Sequence, residues 1–279
     1  MGLSDLFKSN GGNSMHLPPG ISLSDDLLPY WPEIEKSKLD YIKIEATVAE
    51  RLSVMKSKFA GPLYLPKGFA YPVDEHGKYM YPLAQINFAD MPRLDGYPDK
   101  GILSFYISDE DIYGLNTDDL TEQKNFRVLY FEDAEDSKAE KDFRFIADTL
   151  FDYVPITEQM ELHFSKATDY AGTNDLRFRK NFGTSYYDWV ESFGDKENAI
   201  WDEMASNFSS WAHKIGGYAD FTQQDPRYDT HEDWILLLQI CSEGEFIMWG
   251  DVGICNFFIH PDALKRKDFS KVMYNWDCS

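Results

Sequence analysis

Hydrophobic and polar positions alternate in several short stretches of the chain, a period of two that is typical of half-buried β-strands. Ile42, Ile44, Ala46 and Val48 alternate with polar neighbours, which predicts a strand from Tyr41 onward. The same reasoning predicts further strands over residues 81–88, 102–107, 126–131, 160–164, 234–240, 246–249 and 255–259. The pattern therefore predicts an α+β fold that is mainly antiparallel β.

The remaining segments predict short helices and loops. Over residues 184–211, Ile200, Met204 and Phe208 recur at a spacing of four, which indicates helices interrupted at Gly194. The acid-rich residues 132–142 predict an exposed loop. Residues 1–40 are broken by prolines and predict an N-terminal arm, whose Trp31 and neighbouring apolar residues would dock on a single domain over 41–279.

Three landmarks occur twice along the chain in the same order. Lys58 and Lys214, Gln85 and Gln239, and Phe105 and Phe257 occupy matching motifs, separated by 156, 154 and 152 residues. Self-similarity at nearly constant spacing predicts an internal duplication. The first repeat would cover about 41–170 and the second 212–279, with the helical insert at 184–211 between them.

Composition limits the possible partners. The 279 residues are 43% hydrophobic, enough for a packed core, and carry a net charge of −21. Such a charge repels nucleic acid and anionic membranes and favours a basic protein partner. Cys241, Cys255 and Cys278 form no CxxC pair, and no signal peptide or membrane-spanning run is visible. We therefore expect a cytoplasmic protein.

No motif in the sequence predicts a catalytic residue, a cofactor or a metal site. Each lysine of the Lys58-to-Gly61 and Lys214-to-Gly217 stretches precedes its glycines, whereas a phosphate-binding loop needs the lysine after them. These stretches predict tight turns. Gln85 and Gln239 lie inside apolar strands, so both amides must be hydrogen-bonded. Either they join the seam between the repeats, or they point at a ligand.

The polar landmarks of the second repeat predict a candidate binding site. They lie beside turns, which in an antiparallel meander can gather at one end of the sheet, where loops carry function. The set comprises His213, Lys214, Gln223, Asp225, Arg227, Trp249, Asp251 and Asn256. The alternative is an ion-paired cluster that only fixes the loops.

Several of these stretches resemble a known family. Phe221-Thr-Gln-Gln-Asp-Pro-Arg227, Met248-Trp-Gly-Asp251 and the segment 268–278 are similar to the YwqG-like proteins, a bacterial family of unknown function. The resemblance covers about residue 41 to the C-terminus. It implies a mainly β fold with short helices, no established catalytic residues, and an association with toxin–immunity gene neighbourhoods. Ala60 stands where the family usually has glycine.

Two classes of function remain open. The first is a non-catalytic acidic module that sequesters a basic protein partner, as an immunity protein does. The second is a small-ligand-binding protein or a hydrolase with a cleft beside Trp249, Asp251, Asp225 and Arg227. A large pocket with converging polar groups favours the second class, and a flat acidic face favours the first.

Overall fold

The strands of the protein join into one antiparallel sheet. A computed structural model describes residues 16–172, 175–230 and 232–279, so residues 1–15 of the predicted arm lie outside the described part. Within these ranges the strands are β1 Leu39–Val48, β2 Lys58–Phe59, β3 Tyr81–Asn87, β4 Ile102–Ile107, β5 Phe126–Phe131, β6 Met160–Asp169, β7 Lys214–Gly216, β8 Ile235–Cys241, β9 Ile254–Ile259 and β10 Val272–Asp277. Their order is β10-β9-β8-β7-β1-β6-β2-β3-β4-β5. The predicted mainly antiparallel fold is confirmed.

The sheet curls into a nearly closed barrel, because its two edge strands approach each other. The Tyr274 amide on β10 donates to the Leu120 carbonyl just before β5, at 2.8 Å. The Phe126 ring on β5 lies 5.1 Å from that of Tyr274. Inside the barrel, Phe105 and Phe257 pack with ring centroids 4.7 Å apart. The core therefore lies inside the barrel, with β4 and β9 fully buried.

The strand order divides the sheet into two matching halves. β1 and β6 pair over ten residues at the centre, β2 to β5 follow β6 on one side, and β7 to β10 follow β1 on the other. Lys58 lies opposite Gln85 in one half, and Lys214 lies opposite Gln239 in the other. Register shifts occur at corresponding places, between residues 82 and 84 in β3 and between residues 236 and 238 in β8.

The two strand glutamines make the same three kinds of hydrogen bond. Both are fully buried. Gln85 accepts from the amide of Tyr64 and donates to the carbonyls of residues 54 and 56. Gln239 accepts from the amide of Asp220 and donates to the carbonyls of residues 210 and 212. Each amide bonds only within its own half, so these contacts do not join the halves at a seam.

The turns after β2 and within β7 need left-handed backbone. Gly216 and Gly217 have φ of +73° and +71°, and the corresponding Ala60 and Gly61 have +54° and +75°. A Cβ on Gly217 would lie 2.8 Å from the Asp169 carboxylate, so the chain also needs glycine for space. Ala60 adopts a conformation that is unfavourable for a residue with a Cβ. The tight-turn interpretation of both stretches agrees with these angles.

Six short α-helices lie before or between the strands in the described part of the chain. They are α1 Trp31–Lys36, α2 Arg144–Ala147, α3 Arg177–Phe182, α4 Tyr186–Glu191, α5 Glu197–Phe208 and α6 Pro261–Lys265. Leu27 and Trp31 of the described part of the arm pack with Trp189 and Met204 in a second apolar cluster. The helical segment begins at Arg177 rather than at 184. α3 has only six residues, too few to display a helical period, and left-handed Gly183 separates it from α4.

Several strand assignments differ from the sequence prediction. β2 and β7 lie in the stretches predicted as tight turns, and β6 continues to 169, beyond the predicted end at 164. The predicted strand over 246–249 is wrong, because Ile247 makes only isolated bridges to Ile156 and Glu243. Two of its four side chains are buried although no strand forms, so apolar character there did not indicate a strand. β10 was not predicted, because it begins with three consecutive buried residues and shows no alternation.

Replacing Gln239 by alanine should lower the free energy of unfolding by about 1–3 kcal/mol, since the backbone groups that it binds lose their partner. Gln85→Ala should cost a similar amount, because its hydrogen bonds match. Urea denaturation of both variants measures this. Gln224→Ala removes the same amide from an exposed position and is the control. A Gln239→Ala midpoint equal to that of the control would contradict a structural role.

Candidate functional site

Arg227 is the centre of a buried ion-pair network. Its guanidinium is fully buried, and its Nε and Nη2 donate to the Asp225 carboxylate at 2.9 and 2.7 Å. Nη2 also lies 2.9 Å from Asp175, which makes a second pair with Arg177. Burial alone would raise the pKa of Asp175, but the two arginines lower it well below its usual value. These ions are therefore paired with one another and not available to a ligand.

Lys214 forms another buried pair. Its Nζ lies 2.7 Å from Asp169 Oδ2 and 5.0 Å from the centroid of the Tyr41 ring. The same carboxylate oxygen accepts from the Tyr218 amide at 3.0 Å, which fixes the chain after the Gly-Gly turn. Lys214 and Asp169 thus hold the turn against β6.

His213 is buried beside a cavity of about 350 Å³ lined by Trp211, Cys241 and Glu243. Its Nδ1 accepts from the Cys241 amide at 3.1 Å, which places a neutral ring's proton on Nε2. Nε2 lies 2.7 Å from Glu243 Oε2, but off the direction of a good hydrogen bond. Burial lowers the His213 pKa, and Glu243 opposes this only in part.

Cys241 does not form a nucleophilic pair with His213. Burial raises the pKa of its thiol far above the usual value, with a further contribution from Asp220. A thiol in this state is a poor nucleophile. Cys241 is therefore not an activated nucleophile in this cavity.

Trp249, Asp251 and Gln223 belong to the loops at the end of β10. Trp249 is fully buried and packs edge-on against Tyr113 at 5.4 Å. The Asp251 side chain is exposed, and Gln223 donates to the Cys278 carbonyl at 2.9 Å. Trp249 and Arg227 have separate partners and no exposed surface. They therefore do not line the cleft that the sequence suggested beside Asp225 and Asp251.

Asn256 and Gln239 converge on one residue that the sequence analysis did not name. The Asn256 side chain donates to the Asp220 carbonyl at 2.9 Å, while Gln239 accepts from the Asp220 amide at 2.9 Å. Side chains of β8 and β9 thus fix the main chain of residue 220. The sequence contained a signal, since an acid follows shortly after the Gly-Gly turn, behind Tyr218 and Ala219, and the matching position in the first half is Tyr64.

The carboxylate of Asp220 lies at a pocket of about 200 Å³, together with Tyr186, Tyr187, Trp201 and Phe221. Burial is the main cause that raises its pKa, to about 6. A larger, open groove of about 860 Å³ lies in the first half. Its wall contains five aromatic side chains and four charged ones: Phe69, Tyr71, Tyr79, Phe143, Phe145, Glu140, Asp142, Arg144 and Asp148.

Lys58, the counterpart of Lys214, is buried without a carboxylate. Its Nζ donates to the carbonyls of Ser53 and Pro62 at 2.7 and 3.1 Å. Burial lowers the pKa of its ammonium group to about 8. Both halves therefore bury a lysine, but Lys58 is bound by backbone carbonyls whereas Lys214 is paired with a carboxylate.

No group of three potential His, Cys, Asp or Glu ligands in the described ranges could hold a metal ion. None of the helices that the structure describes is long and apolar enough to cross a lipid bilayer.

Comparison with known families gives one match. Residues 57–278 match the family described as a domain of unknown function (DUF1963), and the chain belongs to that family. The match begins one residue before Lys58 and so includes both matched halves. No curated protein matches the chain.

Arg227→Ala should lower the free energy of unfolding by about 3–5 kcal/mol, because it leaves Asp225 and Asp175 buried without their partner. Arg144→Ala is a matched control. Arg144 makes the same two-point contact with Asp142, two residues before it, but on the surface, so its loss should change stability far less. Thermal and urea unfolding measure both. Similar small losses would mean that the buried network is not structural.

Lys58→Met should change how stability depends on pH. The Lys58 pKa is about 8 in the folded protein and 10.5 as an ordinary lysine. Between these values the unfolded chain binds more protons, so wild-type stability rises with pH relative to Lys58→Met. The gain should reach about 2–3 kcal/mol by pH 10.5. Urea unfolding at pH 7.5 and 10 tests this, and a constant difference would show an unperturbed lysine.

Proposed function

We propose that this protein is a non-catalytic binding module that sequesters a basic protein partner, of the immunity type. The observation that carries the proposal is the open aromatic and acidic groove of the first half, lined by Phe69, Tyr71, Tyr79 and Phe145. Because this groove is broadly open to solvent and not enclosed, it is closer to the acidic face expected of a binding module than to the cleft expected of a hydrolase. Surfaces of this composition bind through aromatic anchors, with charge that selects the partner.

The groove presents a continuous aromatic surface. The rings of Tyr71, Tyr79 and Phe145 contact one another, with centroids 5.2–5.5 Å apart. Phe69 is 47% exposed and Tyr79 is 42% exposed. Large aromatic side chains left in contact with water at a concave surface are typical of interaction sites. They supply the apolar part of the proposed interface.

Charge around the groove favours a basic partner. Glu140, Asp142 and Asp148 line it against one guanidinium, that of Arg144, which is paired with Asp142. The whole chain carries a net charge of −21, so a basic protein is attracted from a distance as well. Aromatic anchors and acids together match lysine- and arginine-rich surfaces.

The absence of activated groups supports binding rather than catalysis. Among the described residues of the predicted site, Asp225, Arg227 and Lys214 are engaged in buried ion pairs. The Cys241 thiol is held protonated. A hydrolase cleft would require some of these groups to face solvent, as they do not here.

We further propose that the two halves arose by an internal duplication and that the protein is cytoplasmic. The matched register shifts and glutamine hydrogen bonds support descent of the two halves from an internal duplication. The three cysteines are free, and two of them are buried, which supports a reducing compartment such as the cytoplasm.

A groove variant tests the proposed function. The immobilised protein should retain basic proteins from its native cell, and Phe69→Ser with Tyr79→Ser should reduce their recovery about tenfold. Quantitative mass spectrometry measures the recovery at low and high salt, where screening should weaken it. Val48→Ser with Val252→Ser removes equally exposed apolar side chains elsewhere and is the control. The proposal would be refuted if both variants recovered as much protein as the wild type, or if the recovered proteins were not basic.

A further inference from the structure

The second half contains a small pocket with an acidic residue and an aromatic wall. Its volume is about 200 Å³, and α4, α5 and the segment after β7 form it. A volume equal to that of about seven water molecules suits a small head group better than a drug-sized ligand. We propose that this pocket binds an alkylated ammonium group, with Asp220 as its counter-ion and the aromatic wall as its second contact.

The wall consists of three rings in mutual contact. Tyr186 and Trp201 have centroids 5.1 Å apart, and Tyr187 and Trp201 have centroids 5.6 Å apart. Tyr187 is 52% exposed and Trp201 is 39% exposed, so ring surface is available at the mouth. An organic cation is attracted by the electron-rich faces of Trp and Tyr, and its methyl groups pack against them.

Asp220 supplies the charge without a cationic partner of its own. Within the described residues, its carboxylate accepts one hydrogen bond, from the amide of the next residue, Phe221. Lys214, a buried cation whose charge acts on Asp220, is itself paired with Asp169. A partly buried carboxylate that lacks a counter-ion favours binding of a cation, which removes the cost of its desolvation.

Hydrogen bonds fix the backbone of the pocket on both sides of Asp220. Gln239 and Asn256 hold Asp220 from both sides through its backbone amide and carbonyl. The Asp277 carboxylate fixes the adjacent Thr222 through its amide and hydroxyl, at 3.0 and 2.8 Å. A preorganised carboxylate loses little freedom when a ligand binds. The site lies in the other half from the groove and does not depend on the proposed function.

The same head group could come from two sources, a free small amine or a methylated lysine side chain of a polypeptide. Titration with tetramethylammonium, choline and the trimethyl-lysine amide, followed by Trp fluorescence and calorimetry, tests both. We expect saturable binding with a Kd of about 1 mM for the small cations. Tighter binding of a trimethyl-lysine peptide assigns a polypeptide source, and equal binding assigns a free amine.

Neutral and charge-deleted controls isolate the proposed contacts. The neutral isostere of choline, 3,3-dimethylbutan-1-ol, should bind at least about tenfold more weakly. Asp220→Asn keeps the size of the side chain and should weaken cation binding at least about tenfold, with an unchanged melting temperature or a higher one. Trp201→Ala should weaken it as well. Trp211→Ala, at a half-exposed tryptophan beside another cavity, should not.

The pH dependence gives an independent measurement. Protonation of Asp220 below pH 6 should lower wild-type affinity about tenfold at pH 5, while Asp220→Asn should show little change. The comparison is needed because other ionisable groups face this carboxylate, from β6, β7, β8, β10 and α4: Asp169, Lys214, Cys241, Asp277, Tyr186 and Tyr187.

Three outcomes would overturn the proposal. One is no saturable binding of any cation by the folded wild-type protein. Another is equal affinity for the cation and its neutral isostere. The third is binding that Asp220→Asn leaves intact. Loss of partner retention by the groove variant with cation binding kept would separate this site from the proposed function.

Discussion

The pairing of β1 with β6 is the interaction on which the rest of the barrel depends. These strands share ten residue pairs, whereas β2 and β7, which attach the two halves to them, contribute only two and three residues. Ile42 and Ile44 on one face of β1 reach the core, while Lys43 and Glu45 on the other face remain partly exposed. A register slip of one residue would reverse these faces and expose the apolar side chains.

β2 and β7 are so short that they form few backbone hydrogen bonds. Buried polar side chains supply the remaining contacts that fix these segments. Lys58 and Lys214 extend from these strands to carbonyls and to Asp169, and the neighbouring glutamines bind the chain on either side of them. Each group would be costly if unpaired, so each fixes its loop in one conformation. The stability of the turns therefore depends on specific polar contacts as much as on apolar burial.

The sequence predicted the strands well where a pattern or a repeat marked them. The predicted limits of 102–107 and 126–131 agree with β4 and β5. It could not separate residues 246–249, a loop in which two of the four side chains are buried, from a short strand, because a run of apolar residue types this short occurs in both. β10 shows the opposite effect, since it is a true strand without a visible period.

The sequence named eight candidate site residues but could not show how their side chains are placed. Lys214 and Asn256 lie within β7 and β9, and Arg227 and Trp249 are fully buried. A sequence shows that an ion pair such as Asp225 and Arg227 is possible, and not whether it faces solvent. Asp220 and the ring wall of Tyr186 and Trp201 come together only through the packing of α4 and α5 on the loop after β7.

The hydrogen bonds to the main chain of residue 220 have a consequence for which substitutions the protein can tolerate. Gln239 and Asn256 bind its main chain, and Gln85 binds the amide of Tyr64 in the first half in the same way. At residues 220 and 64, these side-chain amides bind the main chain and not the side chain of the residue. A carboxylate occupies one and a phenol the other, on backbones held alike. The side chain at this position can therefore be exchanged by a single substitution while the hydrogen bonds to its main chain are retained.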